Sequence, residues 1–400
     1  MKPIFYILLF LIICFAGAHS KVQAQGCVAV RLMGGVNPLS TNGYTLPKGE
    51  FQLGTSYRYF HSFRHFVGSV EQPQRQTTGG GFDENGKEKG NAVNIYSHAV
   101  DLNLSYGITN RIQVNVSIPY VNNERSQVLA TKKDAVTGET LEGIRYSVFA
   151  KGLGDIRINT TYWVFDPTTA TKGNLLIGAG LKLNTGSHTA QDYGLALDPV
   201  TGEVIHPKVT MDQAIQPGDG GIGVSIELQG FKQLYKGLYA FGNGYYLFNP
   251  RESNGTYKST FKSAYDLYAC PDQYFARAGV MTSVLKSRSL TLSLAGRVEG
   301  IPAYDKFGGQ VAYRRPGYVV AVESGLSYRM GKHSVSLFIP YNFFKKRIQS
   351  ASDIAQTVIN NANTLADPVK YPAKPKVNGD AAFADYSISV NYSYRLGRLF

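Results

Sequence analysis

The chain has 400 residues, a formal net charge of +13, 43 glycines, 27 tyrosines, one tryptophan and three cysteines. Its lysines and arginines are scattered and form no run, which excludes nucleic-acid binding as the reason for the charge and fits a basic rim facing lipopolysaccharide phosphates. The cysteines are too few and too far apart for a metal site, and no motif asks for a cofactor.

At the start stand Lys2, an apolar run from Ile4 to Ala18, and the small-residue stretch Val22-Gln-Ala24. This order predicts a secretory signal peptide over residues 1–24 and a mature start at Gln25. Ala24 stands where lipidation of Cys27 would call for Leu, so no lipid anchor is expected; a Cys27–Cys270 disulfide stays open. No later stretch has the ~18–20 continuous apolar residues that a membrane helix needs. Residues 25–48 carry Gly34-Gly35, Pro38 and Pro47, a composition against regular structure, and are expected to form an N-terminal periplasmic segment or plug.

From residue 49 to 400 the hydrophobic period is two. The first strand, Glu50 to Tyr59, turns Phe51, Leu53, Thr55, Tyr57 and Tyr59 to one face. In Tyr96–Ile108, His98, Val100, Leu102, Leu104 and Tyr106 alternate with Ala99, Asp101, Asn103 and Ser105. Ile112–Tyr120 follows the same rule. Further strands are predicted at Asp155–Phe165, Asn174–Asn184, Ile222–Phe231, Leu238–Asn249, Phe275–Leu285, Leu290–Ile301, Tyr318–Arg329, Ser334–Phe343 and Asp385–Phe400. In Leu238–Asn249 both faces carry aromatics, so its inward face is expected to be aromatic. The closing strand ends on Phe400.

Only helices and closed barrels satisfy their own backbone in lipid, and strands of about ten residues span it when tilted. The connections alternate. Short ones fall at Thr109-Asn110, Asp166–Gly173, Lys232–Gly237, Lys286–Ser289 and Met330–His333, and long ones at Phe60–Ile95, Val121–Gly154, Thr185–Gly221, Pro250–Tyr274, Pro302–Gly317 and Phe344–Ala384. Short turns on one side and long loops on the other predict an all-β transmembrane antiparallel β-barrel of about twelve strands with both termini periplasmic. It is expected to be a monomer in the outer membrane of a Gram-negative bacterium, in contact with outer-membrane lipids and lipopolysaccharide.

The inward register collects Arg58, Asp101, Asp155, Arg157, Lys182 and Glu227 in the first half. The second half adds Arg277, Arg297, Glu299, Glu323, Arg329 and Arg395. These are the candidate pore-lining residues. Inside a barrel such charges either pair and close the lumen or line a water-filled path, and a narrow or plugged path is the expectation for about twelve strands. The function expected is passive uptake of small molecules. The alternatives are a structural or adhesin-type barrel, and an outer-membrane lipid hydrolase using Ser253 in Arg251-Glu-Ser-Asn-Gly255. No histidine precedes Ser253 nearby, and the i, i+4 pair His61 and His65 falls where a strand is expected to run into a loop, so neither catalysis nor a metal site is expected.

Several junctions resemble an outer-membrane family named after the meta-pathway of phenol degradation. Tyr106-Gly-Ile-Thr-Asn-Arg111, leading to Pro119-Tyr120, is similar to that family's first hairpin. Gly152-Leu-Gly-Asp155 resembles its GxGD strand opening, and Leu181-Lys-Leu-Asn-Thr-Gly186 its KxPTG strand end, with Asn184 in place of Pro. Gln216-Pro-Gly-Asp-Gly220 resembles the glycine-rich start of the following strand. The resemblance spans about residues 48–400 and implies passage of small, apolar or aromatic compounds.

Overall fold

The computed structural model describes residues 46–83, 85–134, 136–257, 264–284, 289–373 and 376–398. The expected signal peptide, most of the 25–48 segment, Cys27, most of the Lys286–Ser289 turn and Phe400 lie outside the described residues.

The wall begins with β1 (Glu50–Val67), β2 (Asn94–Gly107) and β3 (Ile112–Lys133). β4 (Thr140–Leu153) and β5 (Arg157–Trp163) share one wall position: β5 pairs with Ile112 to Ser117 of β3, and β4 with the part from Tyr120 upward. Then come β6 (Gly173–Lys182), β7 (Gly223–Tyr235), β8 (Leu238–Phe248) and β9 (Gln273–Ser283). β10 (Leu290–Ile301), β11 (Gly317–Met330), β12 (His333–Arg347) and β13 (Asp380–Arg398) complete it. Wall neighbours pair antiparallel, and β1 pairs with β2 on one edge and β13 on the other, so the sheet closes into a twelve-stranded barrel. Glu50 faces Arg398 at the short-turn edge, which places both ends of the described chain there.

The side-chain distribution is the inverse of a soluble protein's. Val100, Leu102, Leu104, Ile158, Ile177, Leu181, Ile226, Leu228, Leu294, Val322 and Leu326 are exposed, with Leu102 at 55%. Their neighbours Ser105, Lys182, Glu227, Gln229, Arg297 and Glu323 are buried. A wall that is apolar outside and polar inside is stable only with hydrocarbon around it. His98 faces outward as expected, its Nδ1 hydrogen-bonding Tyr57 Oη at 2.8 Å. The inner face of β8 is aromatic as expected: Phe241 and Tyr239 pack with Phe231, Met281 and Ala295.

Each of the twelve predicted strands has its counterpart, but the long-loop side differs. The predicted loop from Val121 to Gly154 is instead a tall hairpin formed by the upper half of β3 and β4. β1 runs on through His61 and His65 to Val67, held by Ala381, Ala382 and Phe383 of β13. His65 there is buried and bonds Asp380 Oδ2 at 2.6 Å rather than joining His61 on a loop. The Phe344–Ala384 connection holds a helix, α1 (Ala351–Ala366), started by a reciprocal Ser350/Asp353 capping box. These stretches stand beyond the lipid, so their backbones pair without the alternation that lipid imposes. The side-chain period ends before the strand does.

Leu102→Lys puts a charge on the lipid face and is expected to cost about 2–4 kcal/mol, the range for a cation near the bilayer midplane. Urea unfolding in lipid vesicles reads this, with Asn103→Lys, on the inner face, costing less.

Candidate functional site: a charged belt beneath an inner lid

Two arginines stand directly opposite each other on the inner wall, Arg277 of β9 and Arg297 of β10. Like charges in that position repel. Glu323, on the next strand, lies between them: its Oε1 accepts from Arg277 Nη1 and its Oε2 from Arg297 Nη1, each at 2.5 Å. Arg297 Nη2 also donates to Glu299 Oε2 at 2.8 Å, and Arg277 Nε to Asn243 Oδ1 at 3.0 Å. The Arg297 guanidinium lies 5.0 Å from the Phe275 ring centroid and that of Arg277 5.5 Å from Phe338, which adds cation–π attraction in a water-poor site. The pairing runs along the wall within three successive strands, β9 to β11. Asp101 and Glu299 supply negative charge to Arg58 on the adjoining side.

Above this belt the connection after β6 turns into the barrel. Its residues Met211 to Gly221 form an inner lid. Ile215 is completely buried against Phe60, Ile95, Ala150 and Ala384 of the wall. Asn123 Nδ2 donates to the Ile215 carbonyl at 2.8 Å, and Arg315 grips Asp212 with two bonds of 2.8 and 2.7 Å. Burial works against the ionised Asp212, but the Arg315 guanidinium outweighs it and holds the carboxyl well below the usual range.

The far end of the lid is latched by Lys182, 2% exposed at the top of β6. Its Nζ donates to Asp219 Oδ1 at 2.6 Å, Asp155 Oδ2 at 3.1 Å and the Gly221 carbonyl at 2.5 Å. Asp155 Oδ1 accepts from the Gly186 amide at 3.0 Å, and Asn249 Nδ2 donates to Asp219 Oδ2 at 3.3 Å. Gly186 and Gly218 touch backbone to backbone: a Cβ on Gly218 would sit 2.4 Å from the Gly186 carbonyl oxygen. Gly220 follows with φ +88°, a conformation open mainly to glycine. The motifs around Asp155, Lys182 and Asp219, separated by 27, 37 and 64 residues pair by pair, thus form one cluster. Cys270 lies against it, its Sγ 3.2 Å from the Asp219 carbonyl oxygen, and burial pushes the thiol up.

Lid and wall enclose a cavity of about 90 Å³. Of the sequence-derived candidates, Arg58, Asp101, Asp155, Arg157 and Lys182 line it. Arg277, Arg297, Glu299 and Glu323 form the belt, and Glu227 bonds Gln229 on β7. Arg329 and Arg395 join neither group: they stand at the short-turn edge, where Arg395 Nε lies 3.6 Å from Glu50. Sequence reading missed Asp212, Asp219, Arg314 and Arg315, which reach the interior from loops and have no strand period to mark them. The glycines around Asp219 were the one available signal.

Among the described residues no group of three His, Cys, Asp or Glu side chains could hold a metal ion. Ser253 begins a short strand, Ser253–Tyr257, and no hydrogen bond joins it to a histidine among the described residues.

No protein-family model and no curated relative matches the chain. Solved structures do. An outer-membrane channel from Pseudomonas putida F1 superposes with a TM-score of 0.51 at 10% identity, covering 89% of this chain and 98% of that one. The Ralstonia pickettii toluene transporter TbuX (TM-score 0.44, 13% identity, 95% and 100% covered) and the P. putida toluene transporter TodX (0.41, 12%, 94% and 99%) overlap too loosely to bear on the argument. The first likeness is one of fold, and it places the chain in the class of twelve-stranded outer-membrane barrels.

Arg297→Glu sets three buried carboxylates together and leaves Arg277 to balance them. It is expected to cost about 3–5 kcal/mol, the penalty for breaking a buried ion pair, read as a lower midpoint in heat-modifiable gel mobility. Lys182→Met leaves Asp155 and Asp219 uncompensated. Faster hydrogen exchange in residues 211–221 is expected, with the wall unchanged.

Proposed function

We propose that the chain is an outer-membrane channel for the passive uptake of small molecules, apolar and aromatic ones among them. The observation that carries this reading is the unfilled interior: the barrel holds a cavity lined by both charged and apolar side chains under a lid formed by a loop, where a purely structural barrel would be packed through. The short-turn edge then faces the periplasm and the tall hairpin and α1 face outside. Solute moves down its gradient, and selection falls to lumen charges and to the lid. Kinship with the meta-pathway family belongs to the same proposal. It is supported by the meeting of the GxGD-like, KxPTG-like and PGDG motifs at the lid latch, since a shared latch gives a physical reason for those residues to recur together.

Purified barrel in planar bilayers is expected to conduct, and liposomes carrying it to swell in small solutes, with Lys182→Met raising both. Silence in both assays from a folded barrel would favour a structural role without transport.

A further inference from the structure

The cavity is rich in cations. Arg58, Arg157, Lys182, Arg314 and Arg315 line it, against the carboxylates of Asp101, Asp155 and Asp219. Most of these charges are accounted for. Lys182 serves both Asp155 and Asp219, Arg315 is spent on Asp212 just outside the cavity, and Arg58 has Asp101 and Glu299 beside it. Two guanidinium groups retain unused donors. Arg157 makes no ion pair among the described residues, and its buried Nε has no hydrogen-bond partner. Arg314 is 1% exposed, and its Nε and Nη2 likewise meet no acceptor among the described residues. Its ion pair among the described residues, Nη1 to Asp305 Oδ1 at 2.6 Å, is shared, because that same oxygen accepts the Asp272 amide at 2.8 Å. Burial pushes the Asp305 carboxyl up even beside Arg314.

Buried donors without acceptors cost free energy that a bound acceptor returns. The remaining lining is apolar: Phe60, Ile95, Val121, Ala214 and Ile301. At about 90 Å³ the space is smaller than the ~150 Å³ that admits benzene, so it suits a short chain better than a ring.

We infer that this cavity is a binding site for a short-chain monocarboxylate, its anionic head held by Arg157 and Arg314 and its alkyl end by the apolar wall. A carboxylate accepts on two oxygens and so matches the planar fork of a guanidinium better than a spherical anion does. The inference deepens the channel reading by naming a solute class; as transport it rests on that reading, and as binding it stands apart from it.

The test is calorimetry of the full barrel in detergent, titrated with propionate and with its neutral isostere propionamide. Propionate is expected to bind about tenfold tighter or more, the loss typical of removing one hydrogen bond to a charged group. Arg157→Gln and Arg314→Gln should each remove that preference and leave propionamide unchanged. Heat-modifiable mobility certifies folding; if Arg314→Gln fails it, Arg157→Gln decides alone. Equal affinities in the wild type, no propionate heat, or a preference that survives Arg157→Gln overturns the inference, and tighter binding of inorganic phosphate overturns the carboxylate assignment. Planar bilayers separate the two proposals. A barrel that binds propionate but does not conduct keeps the site and loses the channel, whereas one that conducts without propionate binding does the reverse.

Discussion

A charge enclosed by a wall whose outer surface meets hydrocarbon has no bulk water to retreat to, and the interior of this barrel is arranged around that constraint. The clearest instance is the facing pair Arg277 and Arg297. Antiparallel register sets them opposite each other, so a carboxylate must come from the next strand, and Glu323 supplies one oxygen to each. Glu299 takes the remaining donor of Arg297, and the rings of Phe275 and Phe338 cover what is left. The belt therefore belongs to one sector of the wall and leaves room beside it.

The same constraint explains the lid. A loop folded into a barrel brings backbone groups and side chains that need partners of their own. Asn123 meets the Ile215 carbonyl, Gln216 bonds the Ala190 and Met211 carbonyls, and Lys182 gathers Asp155 and Asp219. Apolar burial of Ile215 adds the driving force. The lid is thus tied at separate points by polar bonds and anchored by the apolar burial of Ile215 and Met211.

How much of this was legible follows from which solvent reads each residue. Lipid selects every second side chain, so Leu102 beside Asn103 and Ile177 beside Gly178 announce a membrane strand. All twelve wall positions were found for that reason. Above the membrane the rule lapses, and the sequence marks neither the Thr140–Leu153 strand nor α1. The inward charges on strands were found by parity, but parity could not tell a belt residue such as Glu323 from a rim residue such as Arg395. Asp212, Arg314 and Arg315 carry no periodic mark at all. Their roles depend on where a loop tip lands, which is decided by contacts such as Gly186 with Gly218 across 32 residues of chain. The ordered recurrence of glycine-rich motifs hinted at that contact without locating it.

The seam between β1 and β13 has a kinetic consequence. Glu50 pairs with Arg398, so the wall's first strand must wait for its last before either edge is satisfied. Closure over more than three hundred residues carries a loop-entropy cost that local hairpins such as β7–β8 do not. Until that moment two unpaired edges are open, each able to pair with another chain. Assembly is therefore expected to proceed by hairpins and to finish at the seam. The edges of β1 and β13 are where a folding escort would be most needed and where premature association between copies would begin.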